Sequence, residues 1–256
     1  MNTNLETSVD VIEREAQFFD KNYVEGRLSE LGFLVDSPGT RWIARLLGGL
    51  EGKAILDLGC GVGSGSLGLA IRGAKVHAID VSREAVRLTQ YNADRFNIRL
   101  AGAHVMSATE LAFPDETFDA VCGVAILHHL LHHAFGQQVM AEVWRVLKPG
   151  GRAVFLENNG DNGLLMLLRR HMRLVGGRRI GDDDERPLTA AAVRERSARF
   201  RTVRFIHFEL FFFRIASTWL PWFRRYGRIF TRLDWALSFS PTLNRLGYSR
   251  MVYLEK

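Results

Sequence analysis

Cysteine is scarce in this chain: only Cys60 and Cys122 occur among 256 residues, and neither has neighbours at metal-ligand spacing. That excludes a disulfide framework and leads us to expect a reducing, cytoplasmic setting. Long uncharged runs are missing too. A membrane-spanning helix needs about 20 nearly uncharged residues. The most apolar window, FIHFELFFFRIASTWLPWF (205–223), is broken by Glu209, Arg214 and Pro221. The start, MNTNLETSVDVIEREAQ, is acidic and polar, without the basic-then-apolar order of a secretory signal. There is no internal repeat and no low-complexity tract.

What is present is an ordinary globular composition, 47% hydrophobic and 24% charged, enough to bury a full core. The net charge of +6 is unevenly placed. Residues 1–160 hold 15 Lys and Arg against 19 Asp and Glu, while residues 161–256 hold 19 against 9. A near-neutral body thus carries a basic, aromatic-rich appendage.

Apolar runs alternate with helical patterns through the body. Residues 9–20 read as an amphipathic helix, and 39–49 as a second, started by Thr40 and stopped by Gly48-Gly49. Strands are expected at 53–58, 75–80, 102–106, 118–124 and 152–158. Helices are expected at 66–73, at 83–96 (capped by Ser82) and at 135–147. Continuously apolar strands alternating with helices argue for a parallel sheet covered on both faces, with doubly wound topology. Later come a strand at 202–210, helices through about 245, a helix capped by Thr189 and a closing strand at 249–255.

The segment ILDLGCGVGSGSLGLA (55–70) places five glycines directly after the first strand. Glycines at a strand end bring backbone close to a ligand and aim helix N–H groups at it. A phosphate-cradling loop would need a lysine after its glycines, and lysine is absent from 54–74. A dinucleotide fingerprint can be found at Gly63, Gly65 and Gly68. It begins five residues past Leu58, too late for the tight turn it must make. The third pattern is Asp57 followed by Gly59, Gly61 and Gly63 at alternate positions, with Asp80 closing the next strand 23 residues on.

DLGCGVGSG resembles motif I of the class I S-adenosylmethionine-dependent methyltransferases of the small-molecule type, similar to those of quinone and natural-product pathways. SATELAFPDETFDAVCGVAILHHL (107–130) and LKPGGRAVFLEN (147–158) resemble later motifs in the same order, so the resemblance covers about 50–158. It implies an α/β, mostly parallel seven-stranded, Rossmann-like sheet, with S-adenosylmethionine as cofactor. Asp57, Gly59, Gly61 and Gly63 would then lie at the methionine part. Asp80 would accept two hydrogen bonds from the ribose hydroxyls, and Val81 would pack on the adenine. Ser107 stands where the family often has Asp, so Ser107 and the Ala108 N–H are the adenine contacts here. Val124 ends the fourth strand beside them. FFDKNY (18–23) resembles an N-terminal lid of the family, with Tyr23 closing over the cofactor.

His128, His129, His132 and His133 lie at helical spacing, but no Glu follows in metalloprotease order and no Cys or Asp lies nearby. No metal is expected. His128 or His129 is the candidate general base beside the departing methyl. Glu157, at the end of the fifth strand, either orients the acceptor or pairs with an arginine. In 221–237, apolar residues form one helical stripe and arginines fall elsewhere. That helix roofs an acceptor pocket, touches an anionic membrane peripherally, or simply packs on the body. The organisation expected is a lid (1–50), a cofactor-binding core (51–158), and the last two strands with a helical cap (159–256). The function expected is methyl transfer to oxygen or carbon of a hydrophobic small molecule. The alternatives are a nucleic-acid methyltransferase and a non-catalytic cofactor- or membrane-binding protein. Nucleic acid is the weaker of these, because GVAILHHL replaces the Pro-Pro-aromatic motif of base-methylating enzymes.

Overall fold

In chain order the elements are α1 (Ser8–Asn22), α2 (Pro38–Leu47), β1 (Ala54–Leu58), α3 (Ser64–Ala70), β2 (Lys75–Asp80), α4 (Arg83–Arg95), β3 (Gly102–Val105), β4 (Phe118–Val124), α5 (Leu127–Leu130), α6 (Gly136–Val146), β5 (Leu147–Asn158), α7 (Ala190–Arg196), β6 (Thr202–Leu210) and β7 (Gly247–Glu255). They belong to a computed structural model that describes residues 7–22, 37–163, 166–167, 186–210 and 246–256. Tyr23 and the basic segment 221–237 lie outside the described residues.

The strands form one sheet in the order β3-β2-β1-β4-β5-β7-β6. β1 to β5 pair in parallel, and β7 runs antiparallel to both β5 and β6. This is the doubly wound, mostly parallel sheet expected from the alternation of apolar runs. Its two faces bury separate cores. On one, Ile43 and Leu47 of α2 and Leu69 of α3 pack against Ile55, Val76, Val154 and Met251. On the other, Val139, Met140 and Val143 of α6 and Val193 of α7 pack against Leu56, Leu58, Phe155 and Val252. The central strands β1 and β4 are mostly apolar because both faces are covered. From β1 the chain winds outward to β2 and β3, then crosses back to β4 and β5. The switch between β1 and β4 opens a crevice at the carboxyl rim, where ligands of such sheets gather.

Several expected boundaries move for local reasons. α2 is capped by Ser37, not started by Thr40: the Ser37 side chain accepts the Thr40 N–H at 3.1 Å, and Pro38 occupies the first turn. α3 ends at Ala70 rather than running to Gly73. β5 begins at Leu147, five residues early, because Leu147 leaves helical backbone angles and pairs with Phe118 ahead of an irregularity in the ladder. α5 stops at Leu130, so His129 and His133 do not share a helical face. Ser82 and Thr189 do cap their helices, accepting the N–H of Ala85 and of Ala192.

Candidate active site

The crevice holds a cavity of about 400 Å³, floored by the β1–α3 loop and walled by the ends of β2 and β4. The loop is held by its own amides. Gly59 and Cys60 N–H both donate to Ile79 O, Gly61 N–H donates to Asp80 Oδ2 at 3.0 Å, and Gly63 N–H donates to Cys60 O. From the other side α4 grips the loop's carbonyls: Thr89 Oγ1 donates to Gly61 O and Asn92 Nδ2 to Val62 O, both at 2.9 Å. Glycine is required at 59, where φ is +70° and a Cβ would meet the Ile126 side chain at 2.7 Å.

Asp57 is buried in β1 behind this loop. It accepts the Ser66 hydroxyl and lies 3.7 Å from Cys122 Sγ. Burial pushes its pKa up to about 6, against the hydrogen bonds from Ser66 and Cys122 and with the charge of Asp80 adding to the rise. Asp80 ends β2 on the cavity wall, its second oxygen accepting Ser82 N–H at 3.0 Å. Burial raises its pKa too, while the backbone N–H groups of Ser82 and Gly61 hold it down.

Val81, Ser107, Ala108 and Val124 also line the cavity. Ser107 Oγ is turned locally, sharing a hydrogen bond with Thr109 Oγ1 and accepting Thr109 N–H. Overhead, α1 contributes Val11, Ile12, Glu15 and Phe19. It is latched by Asp20, whose carboxylate accepts the Ser82 hydroxyl and the Glu84 N–H at the start of α4.

The four histidines diverge. His128 lies on the cavity wall with Nδ1 2.7 Å from Glu157 Oε2. His129 also lines the cavity, 3.4 Å from Glu15 of α1. Burial pushes Glu15 up, but the hydrogen bond and charge of His129, with Arg14 and His133, bring it below the usual carboxylate range. His132 reaches Arg186 O, and His133 stacks on Phe135. Among the described residues no group of three or more His, Cys, Asp or Glu stands close enough to hold a metal ion. Glu157 is bonded to His128, not to an arginine, and its fully buried carboxylate does not reach the cavity.

The electrostatics choose among cofactors. Asp57, Asp80 and Glu15 line the cavity, and among the described residues no Lys or Arg does. The amides of Gly59, Cys60, Gly61 and Gly63 are already spent inside the protein. A pyrophosphate would find like charge here, whereas a cation finds complementary charge. The acidic wall, the paired acceptor oxygens of Asp80 and the space above the glycines fit a sulfonium nucleoside.

Sequence reasoning did not find Asp20, Glu15 or the gripping pair Thr89 and Asn92. The last two left a signal: polar residues at i and i+3 on the buried side of an amphipathic helix. Asp20 left none, since it meets Ser82 across 62 positions.

Residues 56–155 match the family described as "Methyltransferase domain". Among curated relatives, a ubiquinone biosynthesis O-methyltransferase of Alkalilimnicola ehrlichii is 38% identical over 130 residues, covering 50% of this chain and 51% of that protein. A demethylmenaquinone methyltransferase of Tropheryma whipplei is 33% identical over 145 residues, covering 56% of each. The chain thus spans about half the length of these relatives. A solved methyltransferase from Aquifex aeolicus shares the fold, with a TM-score of 0.56 at 16% identity over 91% of this chain and 98% of that one.

Proposed function

We infer, from the methyltransferase domain at 56–155 and the class I methyltransferase fold that carries it, that this protein transfers a methyl group from S-adenosylmethionine to a hydrophobic small molecule. The observation that carries the reading is the acidic cavity, lined among the described residues by no lysine or arginine, with Asp80 on its wall. The relatives support the acceptor class, since one is named for ubiquinone biosynthesis and the other for demethylmenaquinone.

When bound, the cofactor supplies an electrophilic methyl on a sulfonium sulfur. The protein's own residues bind and orient. Asp80, already aimed by the N–H groups of Gly61 and Ser82, would accept the two ribose hydroxyls. Val81, Met106, Ser107 and Ala108 would flank the adenine, and Val124 with the glycine loop would border the methionine part; all line the cavity. Asp57 and Glu15 supply negative potential toward the cationic end. α1 lines the cavity from above, held by Asp20. His128 and His129, which line the cavity, would face the acceptor.

Calorimetric titration with S-adenosylhomocysteine tests the reading. The wild type should bind, and Asp80→Ala should weaken binding about 10- to 100-fold, as the loss of hydrogen bonds to a charged group implies. Failure of the wild type to bind, or equal affinities, overturns it.

A further inference from the structure

We propose that His129 is a positioning residue: its protonated ring grips Glu15, fastens α1 against the cavity, and so sets how fast the bound cofactor leaves. The inference rests on the methyl-transfer reading above for what fills the cavity.

The placement of His129 begins in the backbone. Ala125 takes a left-handed conformation, φ +53°, which is costly for a residue with a Cβ. Its N–H still pairs with Leu156 O at 2.8 Å, so β4 is bonded to β5 up to the bend. The bend turns the N–H groups of Ile126 and Leu127 onto Glu157 Oε1, at 2.9 and 2.7 Å, and the single turn of α5 follows. Successive side chains of that turn meet different partners. His128 meets Glu157 of β5. His129 meets α1: its Nδ1 stands 3.4 Å from Glu15 Oε2, and its ring lies edge-on to Phe19 with centroids 5.5 Å apart.

The sequence of α1 supplies the other half. Glu15 and Phe19 are four residues apart and share one helical face, with Val11 and Ile12, toward the cavity. Asp20 comes next and accepts the Ser82 hydroxyl and the Glu84 N–H at the start of α4. α1 is thus fastened to two walls, at Asp20 to α4 and at Glu15 to α5. Among its described side chains only Val11 is buried, so polar contacts carry much of the seating. The donors to Asp20 are a hydroxyl and a backbone amide, which do not titrate. The partner of Glu15 is an imidazole, which does.

Burial pushes Glu15 up, but His129, Arg14 and His133 bring it below the usual carboxylate range, so it is ionised at neutral pH. The charge of this contact therefore changes through the ring. A protonated ring gives a charge-assisted contact to a full negative charge, and a neutral ring loses the charge. The fastening tightens as pH falls through the ordinary imidazole value of about 6.5 and loosens as pH rises. Arg14 and His133 face Glu15, and the His128 ring lies 4.1 Å from that of His129. His128 has its own carboxylate, Glu157, at 2.7 Å, which offsets a charge on that ring.

The competing role is a ring that only packs on Phe19, and release would then ignore the charge of His129. The experiment is surface plasmon resonance of S-adenosylhomocysteine on the immobilised full chain. It compares wild type, Glu15→Gln, His129→Gln and the double variant. Release from wild type should slow about three- to fivefold between pH of about 8 and about 6, the difference between a charge-assisted and a neutral hydrogen bond. Either single variant should release faster at the acid pH, with a flatter profile, and the double variant should match the singles. The other titrating groups of the cavity are the same in all four proteins, so the slope lost in the variants is the signal. Glu15 belongs to neither core, and Glu15→Gln decides the matter if His129→Gln does not fold. A wild-type rate flat with pH, a single variant that keeps the wild-type slope, or effects that add in the double variant overturns the proposal. If wild type does not bind S-adenosylhomocysteine, the methyl-transfer reading fails instead. Amide exchange of α1 in the unliganded protein then decides the role of His129: Glu15→Gln should accelerate it at pH of about 6 more than at about 8, and equal exchange in wild type and variant at the acid pH overturns the proposal.

Discussion

Asp57 should make this protein less stable at alkaline pH than its fold would otherwise allow, and Asp57→Asn isolates the effect. The carboxyl is 3% exposed, and its pKa rises from 3.8 to about 6 on folding. The folded state therefore holds this proton more tightly than the unfolded chain. Stability from this group grows as pH falls through 6, levels off below 3.8, and is absent above 6. A rise of about 2 units corresponds to roughly 3 kcal/mol in all, at 1.36 kcal/mol per unit. Between pH of about 8 and about 5, linkage gives roughly 1.4 kcal/mol of that total. Asn keeps a carbonyl oxygen to accept the Ser66 hydroxyl but cannot titrate. Its pH-independent effects cancel when the two pH values are compared. Urea unfolding of wild type and Asp57→Asn, without ligand, should show the variant losing about 1.4 kcal/mol more, relative to wild type, at the acid pH than at the alkaline one. A difference that is flat with pH, or reversed, would show that Asp57 does not hold its proton through burial.

Two further outcomes follow from the loop and the roof. Gly59→Ala forces a Cβ into a backbone with φ +70° and against Ile126. It should cost roughly 1–2 kcal/mol from the backbone alone, seen in chemical denaturation, and weaken S-adenosylhomocysteine binding; unchanged values in both would refute the close approach. Asp20→Ala removes the acceptor that ties α1 to Ser82 and Glu84. Amide exchange should accelerate in α1 and not in β1 or β4, with a loss of roughly 1 kcal/mol in S-adenosylhomocysteine affinity. Unaltered exchange in α1 would mean that its apolar face alone seats it.

The strands were legible because each is a short apolar run with a punctuated end: β2, β4 and β6 span 75–80, 118–124 and 202–210, as their composition predicts. The glycine loop and Asp80 were legible because a close approach and a charged strand end leave unmistakable residue types. The partners of these groups were not. Glu157 reads equally as an acceptor contact or an arginine partner until β5 is laid beside β4, since His128 lies 29 positions away. The helix that Leu127 begins could not be measured from periodicity, because one turn contains no period. Long-range hydrogen bonds are set by tertiary placement, and the chain carries no local trace of it.

The two halves of the site are joined by a wedge. Ile126 fits where both Gly59 and Gly123 lack a Cβ, and either Cβ would lie 2.7 Å from its side chain. Gly59 belongs to the glycine loop, and His128, which lines the same cavity, follows Ile126 by two residues. The spacing between the loop and His128 is therefore set by an apolar side chain packed into two glycine gaps, backed by parallel pairing of β1 with β4. Such contacts resist small displacements because a packed interior has no slack. In the methyl transfer inferred above, whose rate would depend on the approach of two reacting atoms in line, that rigidity would serve to hold the geometry. It also explains why the strain at Ala125 is tolerated: relaxing the bend would withdraw Ile126 from its slot and both N–H groups from Glu157.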